Sequence, residues 1–85
     1  MDWQKYIKYG PNYKNMKEEK RDYCIRLLNK LLDNMFAFTA MKDEIKWIEG
    51  LIVEVRTMNK DYILPRDIRI KCNDLWKETL MRKNY

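Results

Sequence analysis

The segment NMKEEKRDYCIRLLNKLLDNMFAF, residues 15–38, decides the fold because its apolar residues recur at helical spacing. One stripe repeats at alternating steps of four and three residues: Cys24, Leu28, Leu31, Met35 and Phe38. The residues that widen this stripe on both sides are Ile25, Leu27, Leu32 and Phe36. The apolar arc then spans about 220°, against the ~100° that a simple surface helix needs. This pattern predicts a central helix with neighbours on two sides.

The ends of this helix are predicted from capping residues. Asn15 is the expected N-cap, since Glu18 three residues later completes a capping box in which Asn replaces Ser or Thr. No Gly or Pro lies between Met16 and Glu49, yet one unbroken helix to Met58 would be about 60 Å long. We therefore expect a break between Asp33 and Thr39, with Thr39 as the N-cap of the next helix.

A second helix is predicted after this break, with Asp43 and Glu44 in its first turn, where the helix dipole favours acidic groups. Its apolar face again repeats by four and three: Met41, Ile45, Ile48, Ile52 and Val55. The residues Trp47, Leu51 and Met58 extend this face to about 160°. The tripeptide Asn59-Lys60-Asp61 then predicts a turn.

A last helix is predicted from Pro65, which suits a first helical turn because its missing N–H costs nothing there. The predicted inner face consists of Ile68, Cys72, Leu75, Trp76 and Leu80. An alternative stays open for residues 51–72, where LIVEV is rich in β-branched residues and IRIKC alternates apolar with polar positions. A two-stranded hairpin alone would be marginal, so helix is the favoured prediction.

The predicted organisation is one helical domain over residues 1–85, a size at which single domains fold alone. The turn sequence Gly10-Pro11-Asn12 separates a short leading segment, residues 1–14, from a helical body, residues 15–83. The predicted fold class is all-α: a small compact bundle of three main helices plus a short N-terminal helix over residues 2–9.

The composition excludes most catalytic chemistry, because the chain contains no His and no Ser. Nucleophilic arrangements of Ser or Cys with a His base are therefore impossible, and the commonest metal ligand is missing. Cys24 and Cys72 lie 48 residues apart, without the spacing of a structural zinc site. We expect no catalytic residue, no cofactor and no metal. The two cysteines are expected to be small buried hydrophobes rather than a disulfide or redox pair.

The first residues, Met1-Asp2-Trp3-Gln4-Lys5, lack the apolar core of a signal peptide. No apolar run approaches the ~18 residues that a transmembrane helix requires. We therefore expect a cytoplasmic protein that does not bind membranes. Lys, Asn and Tyr, which have AT-rich codons, are abundant, whereas Ala, Gly and Pro are scarce. This composition suits an AT-rich genome, such as that of a low-GC bacterium, its phages or its mobile elements.

The formal net charge of +5 is concentrated at the two ends of the chain. Residues 1–17 and residues 66–85 each carry +3, whereas residues 18–65 carry −1. We give the name basic aromatic segment to the residues Trp3, Lys5, Tyr6, Lys8, Tyr9, Tyr13 and Lys14. Its cations suit phosphates and its rings suit exposed bases. The simpler interpretation is that the rings pin a short helix to the core.

Two apolar residues of the last helix, Ile70 and Met81, are predicted to lie opposite its core face, eleven residues apart, with Asp74 and Lys77 between them. We call these four residues the outer strip. Exposed apolar groups beside charges are typical of partner or self-association surfaces, although singly exposed hydrophobes are also common.

The missing chemistry, the small size and the broad apolar arcs together predict a non-enzymatic protein-binding module, such as a small regulator or inhibitor encoded by a phage or mobile element. The expected partner is another protein, and a second copy of the chain is one candidate. The alternative function is sequence-tolerant nucleic-acid binding through the basic aromatic segment and the basic last helix.

Overall fold

A computed structural model describes residues 19–83. Over this part the chain forms three α-helices, α1 (Lys20–Met35), α2 (Lys42–Arg56) and α3 (Arg66–Lys83), with a 3-10 turn at Thr39–Met41 before α2. No strand occurs in residues 19–83, so the β alternative for residues 51–72 is wrong. The all-helical prediction is confirmed for this part. The expected short N-terminal helix and the cap at Asn15 lie outside the described residues.

The helix α1 begins at Lys20, because Glu19 has an extended backbone with ψ of 152°. No side chain caps this end. Instead the backbone N–H of Arg21 donates to the carbonyl of Lys60 at 3.0 Å. The Arg21 guanidinium also donates to the carbonyl of Met58 at 3.0 Å. The connection between α2 and α3 therefore satisfies a first-turn N–H that would otherwise lack a partner.

The helix α1 is the central one, as its wide apolar arc predicts, and it packs on both α2 and α3. Its buried residues are Tyr23, Cys24, Leu27, Leu28, Leu31, Leu32 and Met35. The prediction was wrong for Phe36, which is 58% exposed. Phe36 is the C-cap, at the edge of the apolar arc, and the chain turns towards α2 directly after it.

The predicted break between α1 and α2 is confirmed. The N–H of Phe38 donates to the carbonyl of Met35 at 2.9 Å, and the N–H of Met41 donates to the carbonyl of Phe38 at 3.2 Å. These bonds form a tight connection that ends in the 3-10 turn. The N-cap of α2 is therefore Met41, not Thr39 as predicted, because the turn separates Thr39 from the first residue of the helix.

The predicted face of α2 is confirmed, with Met41, Ile48, Ile52 and Val55 buried and with Ile45, Trp47 and Leu51 packed against the same core. Asp43 and Glu44 occupy its first turn as expected. The predicted turn after α2 is also confirmed. The side-chain oxygen of Asn59 accepts from the N–H of Asp61 at 3.1 Å, and its carbonyl accepts from the N–H of Tyr62 at 2.9 Å.

The helix α3 begins one residue after Pro65, whose carbonyl accepts from the N–H of Arg69 at 2.9 Å. Its buried residues are Cys72, Leu75, Trp76 and Thr79. Leu80 was predicted on this face but is 40% exposed. At about 100° per residue, Thr79 falls nearly in line with Cys72, whereas Leu80 is turned well to the side. The Thr79 hydroxyl donates to the carbonyl of Trp76 at 2.7 Å, which satisfies the buried polar group.

Candidate functional site

The two cysteines belong to the core rather than to a reactive site. Cys24 and Cys72 are both fully buried thiols. Burial, together with a smaller contribution from the neighbouring Cys24, raises the pKa of Cys72 to about 12, while Lys71 opposes the shift. Because the thiolate is the nucleophile and the metal ligand, a thiol that remains protonated is a poor candidate for either role. Within residues 19–83 there is also no cluster of three or more His, Cys, Asp or Glu able to hold a metal ion.

The outer strip lies on the solvent side of α3, opposite the buried residue Cys72. Ile70 is 41% exposed and Met81 is 63% exposed, and both Asp74 and Lys77 are exposed between them. Eleven residues of helix place the two apolar side chains about 16 Å apart along the axis. The structure therefore brings all four residues onto one face, with an apolar group at each end and two opposite charges in the middle.

The surroundings of the outer strip are charged. By helical angle, Asp67 and Glu78 flank it on the Asp74 side and Arg66 flanks it on the Lys77 side. Glu78 is already engaged, because its carboxylate accepts from the Arg82 guanidinium at 3.0 Å. The strip is thus a narrow apolar and charged band bordered by polar groups, as partner surfaces commonly are.

A second apolar surface lies where α1 connects to α2. Phe36, Phe38, Lys42 and Ile45 line a groove of about 430 Å³, and the Arg82 guanidinium lies 6.0 Å from the centroid of the Phe38 ring. We call this the phenylalanine groove. Helical spacing does not predict this groove, because it places both phenylalanines on the core stripe; Phe38 does pack against the core, whereas Phe36 is exposed. The predicted break between Asp33 and Thr39 could have indicated this surface, because residues in a connection between helices do not follow the face of either helix.

A third concavity lies between α2 and α3 and is lined by Asp43, Glu44, Trp47 and Lys71. The Lys71 ammonium lies 4.1 Å from the centroid of the Trp47 ring, a cation–π geometry. The contact between Lys71 of α3 and Trp47 of α2 therefore links the two helices, and we assign it a structural role.

A fourth concavity, of about 560 Å³, lies on the outer face of α1, lined by Asp22, Ile25, Arg26, Asn29, Lys30 and Asp33. Its two acidic residues, Asp22 and Asp33, lie at the two ends, and its two basic residues, Arg26 and Lys30, lie between them. The Arg26 guanidinium lies 4.9 Å from the centroid of the Tyr23 ring. The mixed charges give this surface no preference for an anionic or a cationic ligand.

The candidate nucleic-acid surface is not brought together by the described part of the chain. The basic aromatic segment, Trp3, Lys5, Tyr6, Lys8, Tyr9, Tyr13 and Lys14, lies outside it. The cations of α3 are spread around the helix, since Lys71 lies over Trp47 and Arg82 binds Glu78, whereas Lys77 is on the outer strip. The basic last helix therefore presents no continuous positive face.

No helix within residues 19–83 combines the length and apolar character needed to cross a bilayer. Comparison of the chain with protein-family models, with curated proteins and with solved structures found no match. The surfaces described above are therefore the only basis for assigning a function.

Proposed function

We propose that this chain is a non-enzymatic protein-binding module that binds its partner through the outer strip, Ile70, Asp74, Lys77 and Met81. One observation carries the proposal: of the three large apolar side chains that α3 exposes, Ile70, Leu80 and Met81, two share one face, and the face opposite these two builds the core. Neither side chain belongs to the buried core, because Ile70 is 41% exposed and Met81 is 63% exposed.

The chemistry of the strip suits protein recognition. Removing Ile70 and Met81 from water supplies affinity, which grows with the apolar area buried. Met81 adds an adaptable side chain, since Met repacks readily against differently shaped partners. Asp74 and Lys77 supply orientation, because charges in an interface select between partners and alignments more than they add affinity.

The role we propose for this module is that of a small regulator or inhibitor encoded by a phage or mobile element. The support is an amino-acid composition rich in Lys, Asn and Tyr. The module would act by occupying a surface of its partner rather than by chemistry.

The test compares partner binding by matched variants. A partner is first identified by cross-linking in cells that express the tagged chain, and its affinity for the purified chain is then measured by titration calorimetry. We expect Ile70→Glu/Met81→Glu to weaken binding at least ~30-fold, because two apolar contacts are replaced by desolvated charges. The thermal midpoint should change little, since surface substitutions are usually near neutral.

Two control variants make the result specific to the strip. Val53→Glu changes a residue of α2 that is 63% exposed, the same fraction as Met81, and should leave the affinity within about twofold. Phe36→Glu changes the phenylalanine groove. Loss of binding by Phe36→Glu with full binding by Ile70→Glu/Met81→Glu would assign the partner to the groove. A large drop in stability of the double variant would show that Ile70 and Met81 are core residues.

Nucleic-acid binding is the second candidate function, favoured by the +3 charge carried by each end of the chain. Replacing Lys5, Lys8 and Lys14 by Gln is then expected to weaken binding. It should also make the binding constant fall less steeply with salt concentration, by the equivalent of up to three phosphate contacts. Fluorescence anisotropy with labelled single- and double-stranded DNA and RNA, at low and at physiological salt, measures both. Binding that disappears at physiological salt, or that the three substitutions leave unchanged, would remove this function from consideration.

A further inference from the structure

We propose that the partner of the outer strip is the outer strip of a second copy of this chain, with the two α3 helices packed antiparallel about a two-fold axis. This inference rests on the proposed function and names the partner of the same surface. It is carried by the order of the four side chains along the helix and by their charges.

The spacing of the strip is symmetric. Both residue pairs are centred on the same point along the helix, the peptide bond that joins Leu75 to Trp76. This point lies midway between Ile70 and Met81 and also midway between Asp74 and Lys77. A two-fold axis that lies between the two helices at this level, beside the outer strip, places Ile70 opposite Met81 of the second copy and Asp74 opposite Lys77 of the second copy. Such an interface is isologous, because each contact occurs twice with the roles of the two copies exchanged.

The same four residues follow the seam of a helix pair. Their steps of four, three and four residues match the alternation of apolar positions in a heptad. Here the outer two positions are apolar and the inner two are charged. Two copies therefore bury Ile70 and Met81 against each other at both ends of the contact, and the charges meet in the centre.

The charges select the antiparallel alignment. In a parallel pair with aligned residues, Asp74 would face Asp74 and Lys77 would face Lys77, which places like charges together twice. In the antiparallel pair both contacts are between opposite charges. Glu78, the nearest acidic neighbour of Lys77 along the helix, is already paired with Arg82 at 3.0 Å, so its charge adds little repulsion between the copies.

The expected association is weak, because one helix from each copy forms an interface at the small end of the known range. The apolar pairs supply the affinity. The central charge pairs lie on the seam between the two apolar pairs, where the cost of removing them from water offsets much of their attraction, so they mainly fix the register. Dimerisation should therefore be sought at high protein concentration.

The test is analytical ultracentrifugation of the purified full chain between about 10 µM and about 1 mM, a range suited to a small interface. We expect a monomer–dimer equilibrium that Asp74→Lys alone and Lys77→Asp alone each weaken at least ~10-fold, because each creates two like-charge contacts. The combined variant, Asp74→Lys/Lys77→Asp, should dimerise within about twofold of the natural chain, since the opposite pairs are restored. Glu49→Lys, an equal charge change on an exposed residue of α2, should have little effect.

The register is tested by disulfide formation at high protein concentration. For cysteines at positions 70 and 81, Cα atoms within the ~7 Å limit of a disulfide are expected between position 70 of one copy and position 81 of the other, and not between two copies of the same position. The variant Ile70→Cys/Met81→Cys should therefore form covalent dimers under mild oxidation. Ile70→Cys alone should not, because the two positions 70 lie about 16 Å apart along the axis.

Three outcomes would overturn the dimer. They are a chain that stays monomeric throughout the concentration range, a dimer that survives Ile70→Glu/Met81→Glu, and a combined charge variant that fails to recover association. The proposed function is judged separately. If the pure chain is monomeric while a different protein binds it and loses affinity only with Ile70→Glu/Met81→Glu, protein binding by the strip stands and the self-association is wrong.

Discussion

Leu31→Ala is expected to lower the free energy of unfolding by about 3 kcal/mol, as truncations of buried Leu commonly do. Leu31 is fully buried on α1, the helix that packs on both α2 and α3. The substitution removes apolar contacts and leaves a cavity that a small bundle cannot close completely. Because a domain of this size is stable by only about 5–10 kcal/mol, the loss is a large part of the total.

The matched control is Phe36→Ala, which removes a larger side chain from the C-terminal end of the same helix. Phe36 is 58% exposed, so its truncation should cost less than about 1 kcal/mol. Urea unfolding followed by the fluorescence of Trp47 and Trp76, at low micromolar protein to avoid association, measures both variants. If Leu31→Ala and Phe36→Ala lowered the free energy of unfolding equally, Phe36 would be buried and the apolar stripe of α1 would extend beyond Met35.

Within residues 19–83 the number and type of the helices could be predicted, because apolar spacing indicates which face each helix buries. The stripe of residues 24–35 and the face of residues 41–55 are both buried as expected. The errors fall at the ends of helices and at the edges of faces. Leu80 is more apolar than Thr79, but it is Thr79 that lies in line with Cys72. A threonine that bonds to its own helix backbone is easily buried.

The start of α1 depends on tertiary contacts that local sequence does not contain. Arg21 is held by the carbonyls of Met58 and Lys60, almost 40 residues away along the chain. A capping box spans only three residues beyond the N-cap, so the local sequence indicates a cap at Asn15, which lies outside the described residues. The N-cap of α2 is Met41 and not Thr39, because the 3-10 turn at Thr39–Met41 is set by how the chain crosses from α1 to α2.

The outer strip could be predicted because its residues follow the spacing of one helix, whereas the phenylalanine groove could not because its residues do not. The outer strip is exposed because its residues lie opposite Cys72 on α3, a relation that spacing alone contains. The phenylalanine groove arises from a connection in which Phe36 and Phe38 leave the helix face. Its shape depends on where α2 begins, and only the folded chain determines that.

Raising the pH from 9 to 12 is expected to destabilise the chain through Cys72, whose pKa burial raises from 9.0 to about 12. The folded state favours the neutral thiol, so this contribution to stability is complete below pH 9 and is lost as the pH rises through the folded-state pKa. One pKa unit corresponds to about 1.4 kcal/mol, so the full loss approaches about 4 kcal/mol. That loss is comparable to the truncation of Leu31.

Cys72→Ala isolates the effect of this thiol. The variant should be less stable than the natural chain near neutral pH, because a buried sulfur is removed. Its stability should nevertheless fall less steeply above about pH 9, since the ionising group is gone. Tyr62, whose pKa burial also raises, contributes to the slope of both proteins and cancels in the comparison. Urea unfolding at several values between about pH 8 and about pH 11 gives the two slopes. Identical slopes would mean that Cys72 reaches water when ionised, so that the α1–α3 contact around it opens at little cost.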